Sequence, residues 1–403
     1  MQEGAMAATN QNDGKEAAPA SSHFAEARIG RSGLLVDAVE DVLPACRASY
    51  TESLIEVEVG NGGIHLAGRT AMGFQARRSL EAPHDGAGRV AVNADELART
   101  LRSLRHEPVT LSVAPDGVTI IGSARITLPA ADKSLPVPVV AGEAVGETRI
   151  QDFLEAIERV YPATSTDRAK QVLGCIAIGL RTRKDALVMA TDSYRAAIVN
   201  VPWEGYEGPD DTLLLPRDIA AYVLRRYKRW KGSLRVHTKD GWAVFEFSDR
   251  WSKATATVAA LVVYGEWPRL LELLPSEAEA NYNVITVGDV RSLSELASAA
   301  ADVAGKEPIW LGLGPEGVTM AATAELGAKV ETTLPGASYE GEPTEIALDG
   351  RYLADLARFA TGLPVLRLKV RGPLQPIAAG VLDADGFAYL LAPIRKQPGG
   401  AAS

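Results

Sequence analysis

Apolar residues recur every three or four positions in six segments of the chain, which predicts six amphipathic helices. Three of these open a stretch of similar layout: Leu34–Ala48, Ile150–Val160 and Val290–Val303. Each is followed by alternating apolar and polar positions broken by a turn, the pattern of a hairpin. The hairpins are Ile55–Ala67 around Gly60-Asn61-Gly62-Gly63, Ile176–Ala190 around Arg183-Lys184-Asp185, and Ile309–Ala321 around Gly314-Pro315-Glu316-Gly317. The other helices, Ala94–Arg105, Pro216–Trp230 and Gly350–Ala360, come later in each stretch. They lead into strands at Val109–Ile121, Ser233–Phe247 and Val365–Ala379. The same order of elements thus occurs three times.

The flanks lack this patterning. Residues 1–27 are rich in Ala, Gly, Ser, Asn and Gln and read as a disordered tail, and 397–403 read as a loose end. The 369 residues between them divide into three parts of 123. Segments rich in Pro, Gly and acids, 136–148 and 266–283, serve as connectors. The expectation is an α+β protein of three repeated domains, 28–140, 141–266 and 267–396, each with two helices packed on antiparallel sheets.

Composition narrows the function. With 46% hydrophobic and 23% charged residues, the chain is an ordinary soluble globular protein. No apolar run approaches the roughly 18 residues of a membrane span. No apolar core follows a basic start, so no signal peptide is read. Two cysteines, Cys46 and Cys175, make neither a disulfide framework nor a zinc site, and a cytoplasmic location is expected. The five histidines form no metal-binding pair. Gly312-Leu313-Gly314-Pro315-Glu316-Gly317 matches a dinucleotide fingerprint, but Val318-Thr319-Met320 continues it as a strand where that site needs a helix. No phosphate loop and no nucleophile elbow occur. Asp167 and Asp192 are of a type for acid–base work, yet carboxylates this common mostly cap or face water. No catalytic site and no cofactor are expected.

The net charge of −9 excludes a uniformly basic nucleic-acid coat. Its distribution matters more than its total. Residues 217–231 carry Arg217, Arg225, Arg226, Lys228, Arg229 and Lys231 against Asp218 alone, and Tyr222, Arg225, Arg226 and Arg229 fall on one helical face. The corresponding helix of the first repeat carries Arg99, Arg102 and Arg105; that of the third has Arg351 and Arg358 around Asp355. Arg47, Arg168 and Lys170 lie at or beyond the ends of the first helices. Basic faces on corresponding helices suit a surface that neutralises phosphates without reading bases.

Four segments then resemble a known family. They are Ala190-Thr191-Asp192-Ser193-Tyr194-Arg195-Ala196; Tyr264-Gly265-Glu266-Trp267-Pro268 with Leu273-Leu274-Pro275; Leu128-Pro129-Ala130-Ala131-Asp132; and Ala388-Tyr389-Leu390-Leu391-Ala392-Pro393-Ile394-Arg395. In this order, over about 28–396, the chain resembles the bacterial sliding clamp, the beta subunit of DNA polymerase III. The resemblance implies a DNA-clamp fold and a head-to-tail homodimeric ring of six domains, with helices lining the hole and sheets forming the rim. Such a ring encircles double-stranded DNA without reading sequence, is opened by a clamp loader, and tethers the polymerase alpha subunit and other clamp-motif proteins; it catalyses nothing itself.

By position, the resemblance implies a partner-peptide pocket of Leu173, Thr191, Ser193, Tyr194, Arg195, Ala196, Pro268, Leu273, Leu390, Leu391, Ala392, Pro393, Ile394 and Arg395. Ser193, Tyr194, Ala196 and Glu272 depart from the residues usual there, so the preferred peptide is expected to differ. The DNA-facing set would be Arg47, Arg99, Arg102, Arg105, Arg168, Lys170, Arg225, Arg226 and Arg229. At the dimer seam, Ile126 and Leu128 would pack near Leu293 and Leu296. Two alternatives stand beside this reading: a specialised clamp paralogue acting as a non-replicative scaffold, and an enzyme whose deep polar pocket only a structure would reveal.

Overall fold

A computed structural model of the chain describes residues 25–395 apart from 48–52, 71–72, 105, 134, 136–137, 140, 182–184, 209 and 276–281. Six main helices stand where the periodicity places them: α1 (Ser32–Arg47), α2 (Ala94–Ser103), α3 (Ile150–Val160), α4 (Arg217–Tyr227), α5 (Val290–Ala304) and α6 (Gly350–Phe359). Their starts are set locally. Asn93, Asp289 and Asp349 each accept a hydrogen bond from a backbone N–H of the first turn, the usual service of an Asn or Asp cap. The helices pack in pairs, α1 with α2, α3 with α4, and α5 with α6.

Two flank readings change. The first strand, Ala25–Ile29, begins inside the segment read as a tail. Ala25, Ala27 and Ile29 are buried in alternation with Glu26 and Arg28, and the strand pairs with Val109–Ala114. Five residues, with alanine at two of the three inward positions, carry too weak a period to stand out. The connector 136–148 likewise ends in a strand, Glu143–Arg149, paired with Gly232–Lys239. At its bulge Gly146 takes a φ of +138°. A Cβ there would lie 2.0 Å from the indole nitrogen of Trp203, which donates to the Val145 carbonyl at 2.8 Å, so only glycine fits.

Each domain contributes two sheets, and the sheets fuse between domains. An eight-stranded sheet joins the first to the second, where Phe74–Glu81 pairs antiparallel with Thr255–Leu261. A nine-stranded sheet joins the second to the third, where Arg195–Pro202 pairs with Phe387–Leu391. Both seams follow one rule: the last strand of a domain pairs with the third strand in the first half of the domain before it. A five-stranded sheet remains on the first domain, with Arg125–Pro129 at its edge, and a four-stranded sheet on the third, with Lys329–Thr333 at its edge. These edge strands are the last strand of domain one and the third strand in domain three's first half.

The apolar interior follows the same plan. One core fills the first domain, and a second runs continuously through the other two. The first joint also holds a buried polar cluster. Asp41 pairs with Arg78 at 3.1 Å and Arg226 at 3.8 Å, and its backbone carbonyl accepts from the Tyr222 hydroxyl at 2.6 Å. Arg78 also lies 4.2 Å from the Trp230 ring centroid. Burial pushes the Asp41 carboxyl up to about 6, against the pull of the two guanidinium groups. Tyr222 is thus buried in the joint instead of standing on the basic face of α4, because its ring packs on Phe74 across the seam. No described helix is long and apolar enough to cross a membrane.

Candidate functional site

The seam between the second and third domains has two unlike sides. Strand alternation assigns the residues. Ala196 faces Leu390 in register and Arg195 faces Leu391. Ala196 and Leu390 join an apolar cluster with Cys175, Leu187, Met189 and Leu270, to which α1–α6 contribute nothing. This is the outer side. Leu391 belongs to the other core, among residues of α3, α5 and α6. Leu390 and Leu391 therefore cannot line one pocket: adjacent strand residues point to opposite faces.

The linker into the third domain lies over the outer cluster. Leu270 is its buried plug, while Leu271 and Leu273 stay exposed, Leu273 by 65%. Trp267 and Val172 pack at the edge. The Trp267 indole N–H is shielded from solvent and has no acceptor among the described residues. The cluster thus ends in open apolar side chains and an idle donor, which suits a short peptide with apolar anchors. Val172, not the expected Leu173, is the residue of that loop that touches it.

At the end of the seam the turn 192–194 is tightly set. Thr191 is buried, with its hydroxyl donating to the Arg195 carbonyl at 2.7 Å. Ser193 takes a φ of +84°. Asp192 accepts from the backbone N–H groups of Tyr194 and Arg195 at 2.9 and 3.1 Å. Tyr194 is 58% exposed and stacks on Tyr352 of α6, with ring centroids 6.3 Å apart. Arg195 points to the helix side. It pairs with Asp192 and with Asp355 of α6, donates to the Pro162 carbonyl, and lies 4.2 Å from the Tyr352 ring. Burial works against its charge, but the neighbouring Tyr389 hydroxyl, Asp355 and Asp192 outweigh it and hold the guanidinium above its ordinary range. The C-terminal segment closes the turn, since the Ala392 N–H donates to the Tyr194 carbonyl at 2.8 Å and the Ile394 N–H to Ala347. Pro393 is half-buried; Pro268 and Arg395 are exposed.

The basic residues are distributed more finely than the sequence suggests. Arg225 and Arg229 are exposed at and just beyond the end of α4. Arg226 is turned instead into the Asp41 cluster, because the carboxylate there needs a counter-charge. Arg99 and Arg102 are exposed on α2, Arg102 paired with Glu40 at 2.9 Å, and Arg47 bridges to Asp95. Arg168 is exposed, but Lys170 lies 5.8 Å from the Tyr194 ring, at the peptide-side turn. Arg105 lies outside the described residues. At the outer edges, Ile126 and Leu296 are half-buried, whereas Leu128 and Leu293 sit in the cores of their own domains.

No family model matches the chain. It is 27% identical to the beta sliding clamp of Streptomyces coelicolor over 346 residues, covering 79% of this chain and 85% of that protein. It is 24% identical to the beta sliding clamp of Caulobacter vibrioides over 331 residues, covering 77% and 83%. Among solved structures, the Bacillus subtilis DNA polymerase sliding clamp superposes with a TM-score of 0.80 at 18% identity, over 93% of this chain and all of that one. A Pseudomonas aeruginosa clamp bound to griselimycin superposes with a TM-score of 0.78 at 19% identity, over 92% of this chain and all of that one. Three repeated domains fused through their sheets define the DNA-clamp class of fold. Within that fold, the chain is similar in sequence to bacterial beta sliding clamps, at 27% and 24% identity to the two named above.

Proposed function

We propose that the protein is a DNA sliding clamp, a processivity factor that closes around duplex DNA as a head-to-tail homodimer and holds replication proteins at its outer seam. The observation that carries the reading is the pair of edge strands left over by the seam rule. Arg125–Pro129 and Lys329–Thr333 are the two partners that the rule would pair next, and they lie on opposite ends of one chain. A second copy supplies both partners at once, and two copies of three domains close a ring with every seam alike. Exposed edges invite such pairing, and head-to-tail contacts close when the rotation allows.

The basic side chains of α2 and α4 would face the enclosed duplex. A ring that holds DNA by closure needs only a mildly positive bore; tight phosphate binding would oppose sliding. Partner proteins would insert an apolar peptide over Leu390, Leu270 and Leu273, with Tyr194 and Tyr352 at its end. No step of this function is chemical, so the reading is of a non-catalytic subunit.

The test is topological. A clamp loader is expected to place the protein on nicked circular DNA, and linearising that DNA releases it. Equal retention on circular and linear DNA, or a protein that stays monomeric and is never loaded, overturns the reading.

A further inference from the structure

Trp251 is 78% exposed. It stands in the turn between the strands Trp242–Asp249 and Thr255–Leu261. That turn is a fixed frame. The Asp249 carboxylate accepts from the Ser252 N–H at 2.9 Å, the Ser252 hydroxyl at 2.6 Å and the Lys231 N–H at 2.8 Å, while Lys253 takes a φ of +53°. The Arg250 N–H donates to the Lys231 carbonyl, which ties the turn to the segment following α4. The corresponding turn of the first domain, Gly122-Ser123-Ala124, is held in a similar way, by Glu107 accepting from the Ser123 N–H at 2.9 Å. It carries no aromatic residue and no cation. The frame is common to the two domains, and the indole is an addition to it.

Five exposed cations stand on and around this turn. Arg225, Arg229, Lys231, Arg250 and Lys253 are all exposed, and none pairs with a carboxylate among the described residues. The acid of the turn, Asp249, is occupied by its hydrogen bonds, and its carboxyl is held below its ordinary range. Arg250 is near enough to the indole, 5.8 Å from its centroid, to sit beside a stacked ring. Arg225, Arg229, Asp249 and Ser252 border one open cavity of about 770 Å³, so the turn and the end of α4 meet there; Asp37, Glu40, Asp41 and Glu158 line the same cavity, and its cationic rim is the side toward the turn.

We propose that this surface is a binding site for single-stranded DNA, with an unpaired base stacked on Trp251 and the flanking phosphates taken by Arg225, Arg229, Lys231, Arg250 and Lys253. It rests on the clamp reading for its setting, because a template strand next to an enclosed duplex supplies unpaired bases. The argument from chemistry is one of selectivity. Cations alone serve any phosphate backbone, but a duplex keeps its base faces stacked and closed to an indole. An exposed aromatic ring among uncompensated cations is the combination that single strands use. Through the Arg250–Lys231 hydrogen bond the turn lies beside the segment that follows α4, so the ring and the cations of α4 are neighbours.

The test uses the full-length protein with fluorescent oligo-dT of about 20 nucleotides and a blunt duplex of equal length, read by anisotropy at low salt. Trp251→Ala is expected to weaken oligo-dT binding about tenfold and to leave duplex binding unchanged. Trp251→Phe, which keeps a stacking ring, is expected to recover most of the loss. Unchanged oligo-dT binding in Trp251→Ala, or an equal loss for strand and duplex, overturns the proposal. Retention of the wild-type protein on nicked circular DNA is measured alongside. Its failure counts against the clamp reading, whereas the ratio of strand to duplex binding decides the Trp251 site.

Discussion

Arg195 joins the two faces of the second seam. Its backbone is part of the strand that carries Ala196 on the outer side, while its guanidinium reaches Asp355 and Tyr352 on the helix side. Truncation to alanine would leave the half-buried Asp355 with only the exposed Arg358 as counter-charge. Removing one partner of a buried pair costs about 3 kcal/mol, and the partial exposure of Asp355 places the cost toward about 2 kcal/mol. Arg195→Ala is expected to lose about that much stability in denaturant titration, and to bind clamp-motif peptides more weakly because the Tyr194 turn loses its anchor. Asp355→Asn is the milder comparison. The segment around Arg195 was legible in the sequence because its residues are contiguous. Asp355 was not, since it lies 160 positions away and only the fused sheet brings α6 beneath the turn. Leu391 was misread for a simpler reason: a list of neighbouring residues ignores the period of two that sends alternate side chains to opposite faces.

Helices were the most readable elements. The segment Ile150–Val160 matches α3 residue for residue, with its apolar stripe sealed in the core. Strands at the flanks were less readable, as Ala25–Ile29 and Glu143–Arg149 show, because five or seven residues with Gly and charged positions scarcely differ from a linker. The edge strands take the functional weight. Ile126 lies half-buried on an edge strand that has no further strand beyond it among the described residues. If a second copy covers it, Ile126→Asp would bury a carboxylate at the new seam. Ile126 also packs against the first domain's core, so some loss of protomer stability is expected as well; the decisive readout is a dimer weakened by about 3 kcal/mol, roughly a hundredfold in Kd, measured by sedimentation at a temperature where the protomer stays folded. An unaltered dimer would mean that this edge is not the closure.

At the scale of the molecule, charge is a matter of placement. The chain is acidic overall at −9, yet Arg225 and Arg229 stand exposed without a carboxylate among the described residues. Replacing both with glutamate is expected to lower clamp loading on nicked DNA and to reduce the logarithmic slope of DNA binding against salt by roughly two. The same change leaves the dimer intact, because neither side chain lies on an edge strand. The charge-bearing helix was legible from its sequence, but the loss of Arg226 to the Asp41 cluster was not. That diversion depends on a carboxylate from another domain.

The fused sheets have a mechanical consequence. A joint made of a flexible linker bends at one place for little work, whereas a hydrogen-bonded ladder carried across the boundary makes bending a collective twist of many strands. With ladders running through both of its internal joints, the protomer behaves as a stiff arc whose preferred curvature is built in at folding. If two such arcs are held in a circle at a curvature that is not their own, the misfit is stored elastically and presses on the contact between copies. Parting one contact would then release that tension, and the free ends would spring apart without any domain having to unfold.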